Sequence, residues 1–117
     1  MRHRHKGKTL DRKAQPRRLM LRNLAASVIL YEQVTTTPAR AKAVQGIVER
    51  AITVGRTGSL IARRRLLSVL PVPSAVAKVI EELSPRYRER AGGYSRIVKL
   101  GRRQGDAAEV VRLELIS

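Results

Sequence analysis

The chain has 117 residues, and its 25 Lys and Arg against 9 Asp and Glu give a formal net charge of +16 at pH 7. This length and the 43% apolar content allow one domain with one modest core, but so much charge on a small body is self-repulsive and predicts a polyanionic partner. The absence of cysteine excludes a disulfide framework, a thiolate metal site and a thiolate nucleophile.

Residues 1–10 form a predicted basic N-terminal arm. They alternate basic residues with His and Gly and show no apolar periodicity, so we expect an extended segment that is disordered until it binds. His3 and His5 have no Cys and no cluster of carboxylates nearby, which argues against a metal site. These two histidines are therefore expected to contact phosphate or to be solvated.

A first helix is predicted from between Asp11 and Pro16 to about Glu32, since Pro16 suits a first helical turn. Its apolar positions at helical spacing are Leu21, Leu24, Val28 and Tyr31. Three arginines lie near its N-terminus, where basic residues oppose the helix dipole unless a phosphate lies alongside. They are Arg17, Arg18 and Arg22.

The next two elements are a strand and a second helix. The β-branched run Gln33–Thr37 predicts a short strand. Thr37 and Pro38 then suit the N-cap and the first turn of a helix that ends near Val54. The apolar stripe of this helix consists of Ala41, Val44, Val48, Ala51 and Ile52.

Two shorter helices follow, with Ser59 and Ser74 as predicted N-caps and Pro71 and Pro85 as predicted ends. The expected apolar positions are Leu60, Ile61, Leu66, Leu67 and Leu70 in the third helix, and Ala75, Val76, Val79, Ile80 and Leu83 in the fourth. The third helix also carries three consecutive arginines, 63–65. At about 100° per residue they fan over about 200°, so they cannot all face one groove.

The last third of the chain changes to the period of a strand. Tyr94–Leu100 and Glu109–Ile116 are predicted strands joined by a basic, glycine-containing turn, Gly101–Ala107, which makes an antiparallel hairpin. Arg102 and Arg103 are expected at its exposed tip. The predicted fold class is α+β in two layers, with about four helices on a small mixed or antiparallel sheet, in a single domain over residues 1–117.

The basic charge is concentrated in two segments. Residues 1–22 hold nine Lys and Arg and one Asp, net +8, and residues 86–105 hold seven Lys and Arg and one Glu, net +6. Of the basic residues 19 are Arg, which grips phosphate through a planar fork, although genomic base composition or heat adaptation would explain the bias equally well. With only three aromatic residues, all Tyr, the expected partner is structured nucleic acid held mainly by its backbone.

Enzymatic function has little support in the sequence. No serine-hydrolase elbow, zinc-protease, phosphate-loop or dinucleotide-binding motif occurs. Glu81 and Glu82 are adjacent, so on a helix their carboxylates diverge. We therefore expect no catalysis, no cofactor, no metal and no small-molecule substrate.

The sequence gives weaker support to two other binding classes, membrane proteins and DNA-binding proteins. No apolar run approaches the about 20 residues that span a bilayer and no signal peptide is visible, so a cytoplasmic protein without a membrane partner is expected. A DNA-reading helix needs mixed polar base readers, whereas the second helix offers Gln45 followed by Gly46. A nucleoid-type DNA-binding protein nevertheless remains the alternative, and a membrane-active basic protein ranks third.

Several blocks of the chain carry a family resemblance. They are Arg2-His3-Arg4, Met20–Ala25, Thr35–Lys42 and, as the most specific, Arg90–Ile97 with its Gly-Gly-Tyr-Ser-Arg-Ile core; the match continues to the Glu114-Leu115 ending. In this order they resemble bacterial large-subunit ribosomal protein seventeen over nearly the whole chain. The chain departs from that pattern at residues 16–17, where the family often has His-Arg, and at residues 45–46, where the family has more charge.

The resemblance implies a structural, non-enzymatic protein of the large ribosomal subunit in the cytoplasm. Its implied partners are 23S rRNA and neighbouring ribosomal proteins, among them the small ribosomal protein thirty-two. We expect phosphate contacts along one path at the N-terminal end and along a second path at the hairpin. The candidate RNA-binding residues are Arg2, His3, Arg4, His5, Lys6, Lys8, Arg12, Lys13, Arg17, Arg18, Arg22, Arg40, Arg96, Lys99, Arg102 and Arg103.

Overall fold

The computed structural model describes residues 14–117, with side chains from residue 16 onward. The basic N-terminal arm lies outside the described residues. The elements are α1 (Ala14–Tyr31), β1 (Gln33–Thr36), α2 (Pro38–Gly55), α3 (Leu60–Val69), α4 (Pro73–Lys78), a π-helical turn (Val79–Leu83), α5 (Ser84–Arg86), β2 (Ser95–Arg102) and β3 (Glu109–Leu115). The segment from α4 through α5 runs on without a break, so four helices pack on a small sheet and the α+β fold class is confirmed.

The sheet is antiparallel throughout, with strand order β1-β3-β2. The predicted hairpin of the last two strands is therefore confirmed, and β1 pairs with the other side of β3. Val34 and Ile97 both lie opposite Leu113, so the three side chains form one row on the face that packs on the helices. The opposite face of β3 carries Arg112 and Glu114, as the alternation predicts.

The second helix supplies the centre of the core. Its five predicted apolar positions are all buried, and α2 packs against α1 and against β3. In α1 the buried residues are Ala25, Ala26, Val28 and Ile29. The expectation that Tyr31 belongs to this stripe is wrong, because the helix ends there and the Tyr31 side chain is 73% exposed.

The third helix begins where the sequence predicts, since the Ser59 side chain accepts a hydrogen bond from the N–H of Ala62 at 3.0 Å. Its buried face was predicted in part, since Leu66 and Leu70 are buried but Leu60, Ile61 and Leu67 are exposed. Leu66 is buried as expected, but Ala62 is the other buried residue within α3. Positions 62 and 66 lie about 40° apart around the helix, whereas Leu60, Ile61 and Leu67 lie about 100° or more from both and are exposed.

The fourth helical segment differs from its prediction at both ends. It starts at Pro73, so Ser74 lies inside the first turn and is not the N-cap. Pro85 does not close the segment but lies in α5, directly after the π-helical turn in which the N–H of Ser84 donates to the carbonyl of Val79. A proline is tolerated there because its missing N–H falls in the first turn after this change of helical pitch.

Candidate nucleic-acid interface

The block with the most specific family resemblance is anchored by one carboxylate. Glu49 on α2 accepts hydrogen bonds from the backbone N–H groups of Gly93, Tyr94 and Ser95 at 3.2, 3.4 and 3.1 Å, and from the Ser95 hydroxyl at 2.6 Å. Gly93 has φ +67°, a conformation that suits glycine, so the turn presents these donors toward Glu49. The block therefore fixes where β2 begins.

Tyr94 holds the same block from the core side. Its ring is fully buried and lies 5.1 Å from the ring of Tyr87, centroid to centroid, at 42°. The Arg56 guanidinium donates to the Tyr94 hydroxyl at 3.1 Å and to the carbonyl of Arg88 at 2.9 Å. Two of the three tyrosines thus serve packing, and Arg56 serves the fold.

Arg96 lies on the open face of the sheet, away from the helices. Its guanidinium forms an ion pair with Glu114 at 2.7 Å, and Glu114 also pairs with Arg112 at 2.6 Å. Hydrogen bonds from Arg112 and then Arg96 lower the pKa of the Glu114 carboxyl. Arg96 is thus held across the strands, with a large part of its side chain still exposed.

Lys99 and Arg102 lie elsewhere, at the end of the hairpin. With Lys42 from the first turns of α2 they line a shallow groove of about 420 Å³, which also contains Pro38. We call Lys42, Lys99 and Arg102 the hairpin surface. The structure brings Lys99 and Arg102 together, because the β-bulge between Lys99 and Gly101 places both on the same face of the sheet. Arg96 has the opposite parity in the strand and lies on the other face.

The loop that closes the hairpin is held by its own charges. Arg103 and Asp106 form an ion pair at 2.8 Å, and the N–H of Ala108 donates to Asp106 at 3.1 Å. The Arg103 hydrogen bond, with a further one from Ala108, lowers the pKa of the Asp106 carboxyl. Arg102 donates to the carbonyl of Ala107 at 2.9 Å, so both predicted tip arginines brace the loop as well as facing solvent.

The predicted residues of α1 converge with arginines that the sequence analysis did not select. Arg18 and Arg22 line a groove of about 480 Å³ between α1, α2 and α3, together with Arg50 of α2 and Arg65 of α3. We call these four residues the arginine groove. Arg50 is the one basic residue near its position in α2, whereas Arg65 belongs to the run 63–65, of which one or two arginines were expected to reach phosphate.

The remaining candidate residues are placed as follows. Arg17 lies on the first turns of α1 and Arg40 on the first turn of α2, both partly buried. The other eight candidates lie outside the described residues and stay predictions. These eight are Arg2, His3, Arg4, His5, Lys6, Lys8, Arg12 and Lys13.

Within residues 14–117, no group of three or more His, Cys, Asp or Glu is arranged to hold a metal ion. None of the helices in that range is long and apolar enough to cross a membrane. What the described surface does offer is grooves lined by basic side chains, among them the arginine groove and the groove of the hairpin surface. Together with the α+β fold, this defines a class of small basic domains suited to a polyanionic partner.

Comparison with known proteins identifies the family. Residues 20–116 match the family model of ribosomal protein L17. The chain belongs to the ribosomal protein L17 family. Because this is a family of structural ribosomal proteins, the expectation that the chain is not an enzyme agrees with its membership.

Individual relatives match over nearly the whole chain. The large ribosomal subunit protein bL17 of Dehalococcoides mccartyi is 47% identical over 116 residues, 99% of each chain. The protein of the same name from Caldanaerobacter subterraneus is 49% identical over 107 residues, 92% of this chain and 96% of the relative. That of Bdellovibrio bacteriovorus is 49% identical over 114 residues, 97% of this chain but 63% of the longer relative.

Proposed function

We propose that this chain is a structural protein of the large ribosomal subunit in the cytoplasm and binds 23S rRNA through the phosphate backbone. The observation that carries the proposal is the arrangement of charge. In the described part of the chain the hairpin surface and the arginine groove contain seven basic side chains, and the one carboxylate that lines either groove is Glu109. Such surfaces suit phosphates, which attract several cations at once.

The positions of the acidic side chains and their partners support this proposal. Glu32, Asp106 and Glu114 each pair with basic residues of the fold, and Glu49 accepts backbone N–H groups. These four carboxylates thus have partners within the fold and do not line the arginine groove or the groove of the hairpin surface. Lys42, Lys99 and Arg102 of the hairpin surface and Arg22, Arg50 and Arg65 of the arginine groove form no ion pair with a carboxylate of the described residues.

The family supports the identity of the polyanion, since the relatives are named as proteins of the large ribosomal subunit. The predicted N-terminal arm would give a second set of contacts, through Arg2, Arg4 and Lys8 among others. We also propose contact with neighbouring ribosomal proteins, including the small ribosomal protein thirty-two. Chemical cross-linking of purified large subunits, followed by mass spectrometry, tests that neighbour: cross-links to another protein in its place would contradict it.

The main test is the salt dependence of binding to 23S rRNA. Each phosphate contact contributes roughly −0.7 to −0.9 to the slope of log affinity against log salt. Deletion of residues 1–10 is expected to flatten that slope by several units while circular dichroism shows an unchanged fold. An unchanged slope, or loss of the folded state, would contradict the role of the arm.

Two further measurements separate RNA from DNA as the partner. Tagged protein in a cell lysate is expected to sediment with large subunits and to stay bound through a moderate-salt wash. In competition, duplex DNA at equal phosphate concentration should not displace folded rRNA. Displacement by DNA would favour the nucleoid-type alternative and contradict the ribosomal assignment.

A further inference from the structure

The arginine groove has a feature that phosphate binding alone does not require, which is an apolar floor. Between the four arginines lie Leu21 of α1, Ile47 and Val54 of α2, and Val69 of α3, all incompletely covered by the rest of the protein. The volume of about 480 Å³ falls within the roughly 300–1,000 Å³ of pockets that bind small molecules. If the arginines only contacted the phosphates of a double helix, this apolar surface would stay in contact with water.

The rim of the groove is entirely cationic. Its polar lining is four arginines and one serine, with no carboxylate. Arg22, Arg50 and Arg65 form no ion pair with any carboxylate of residues 16–117, although five other basic residues of the same range do. An occupant must therefore combine an apolar face with negative charge.

We propose that the arginine groove binds an unpaired nucleotide of RNA, with the base against the apolar floor and the flanking phosphates at the arginine rim. The inference rests on the proposed function, since it names a subsite within the RNA contact. An unstacked base offers a flat apolar face beside its phosphates, and a guanidinium can stack on a base as well as fork onto phosphate. A base paired within a helix offers only its edge.

The groove contains no aromatic side chain, because Tyr87 and Tyr94 are in the core and Tyr31 does not line it. The base would therefore stack on the guanidinium planes of Arg50 and Arg65. Since the floor is formed by aliphatic groups, and the arginines are occupied by the phosphates or by stacking on the base, the subsite should accept purines and pyrimidines alike.

The test is methyl NMR of the full chain with single-stranded RNA nonamers. Adenosine and uridine nonamers should shift the methyl signals of Ile47, Val54 and Val69 through the ring current of the inserted base, whereas those of Val98 on the sheet should stay in place. An abasic nonamer with the same number of phosphates should not produce these shifts. It should also bind roughly fivefold or more weakly, the lower end of the effect of one stacked base.

Adjacent residues of α3 provide the matched variants. Arg65→Gln and Arg50→Gln should each weaken binding of the adenosine nonamer and reduce the methyl shifts that it causes. Arg64→Gln removes the same charge from the neighbouring position, which does not line the groove, and should leave the methyl shifts intact. Equal effects of Arg64→Gln and Arg65→Gln would overturn the proposal.

Two further outcomes would overturn it. If the abasic nonamer shifts the same methyl groups and binds equally well, the groove takes phosphate only. If an amphipathic peptide of Leu and Glu shifts them while the nonamers do not, the groove is a protein-docking site. In both cases filter binding of 23S rRNA to the wild-type chain would still support the proposed function, whereas loss of that binding would contradict the proposed function itself.

Discussion

One carboxylate oxygen of Glu49 accepts hydrogen bonds from both the backbone N–H and the hydroxyl of Ser95, at 3.1 and 2.6 Å. This joins the middle of α2 to the first residue of β2, across 46 positions of the chain. The other oxygen receives the N–H groups of Gly93 and Tyr94. The Gly-Gly-Tyr-Ser segment thus docks on α2 mainly through Glu49, and Gln45 adds a hydrogen bond to the Ser95 hydroxyl at 3.2 Å.

The first prediction concerns this anchor. Glu49→Gln is expected to lower the free energy of unfolding by about 1.5–3 kcal/mol, since it replaces a charged acceptor of several hydrogen bonds by an amide whose NH₂ faces N–H donors. Urea denaturation at pH 7 measures this as a lower midpoint with an unchanged m-value. Glu89→Gln, at an exposed position, is the control and should leave the midpoint in place. Equal midpoints for both variants would contradict the anchoring role.

The sequence predicted an element and its buried face correctly where the apolar residues follow one clear periodicity. The stripe of α2 was predicted residue by residue because Ala41, Val44 and Val48 recur at helical spacing along an 18-residue helix. The alternation of Val111 and Leu113 likewise predicted the buried face of β3. In α3 the apolar residues occupy several sides of a short helix, so the pattern could not show which side packs.

The candidate site was less predictable, because its geometry depends on contacts between distant parts of the chain. Nothing near Arg96 in the sequence shows that Glu114 lies opposite it in the sheet. Arg50 and Arg65 join Arg22 only once three helices have packed. The resemblance identified the specific block around Tyr94, but its contacts show a structural role there that composition cannot reveal.

The second prediction concerns pH. Glu32 ends α1 with φ +64° and pairs with Arg86 and with Lys78, and Lys78 also donates to the carbonyl of Leu30. The Arg86 hydrogen bonds, helped by Lys78, lower the pKa of Glu32 from 4.5 to about 2. Because the folded pKa is depressed, the stabilisation is fully present above pH 4.5 and is lost as the pH falls toward 2.

Glu32→Gln should therefore lower stability at pH 7 by about 1–2 kcal/mol, since solvent screens a side chain that is one-third exposed. The difference from the wild type should shrink as the pH falls from 4.5 toward 2. Thermal unfolding of both proteins across this range measures it. A difference that stays constant between pH 5 and pH 2.5 would show that the ion pairs do not contribute.

The third prediction compares two glycines of α2. A Cβ on Gly55 would lie 2.4 Å from Val79 Cγ1, so Gly55→Ala is expected to destabilise the fold by about 1–3 kcal/mol through overpacking. A Cβ on Gly46 would meet no atom closer than 3.8 Å, so Gly46→Ala should stabilise the helix by about 0.5–1 kcal/mol. Shifts of the urea midpoint in the same direction would contradict the close approach at Gly55. If the double variant Gly55→Ala with Val79→Ala regains part of the stability that Gly55→Ala loses, the clash lies between these two side chains.

The fourth prediction concerns the hairpin surface. Lys99→Gln and Arg102→Gln are each expected to flatten the salt dependence of 23S rRNA binding by roughly 0.7–0.9 in the log–log slope, as the loss of one phosphate contact requires. Arg112→Gln removes one charge from the outer face of β3, outside the hairpin surface and paired with Glu114, and should leave the slope unchanged. Filter binding across a salt series gives all three slopes. If Arg112→Gln flattens the slope as much as Lys99→Gln, the rRNA does not distinguish the hairpin surface from the open face of the sheet.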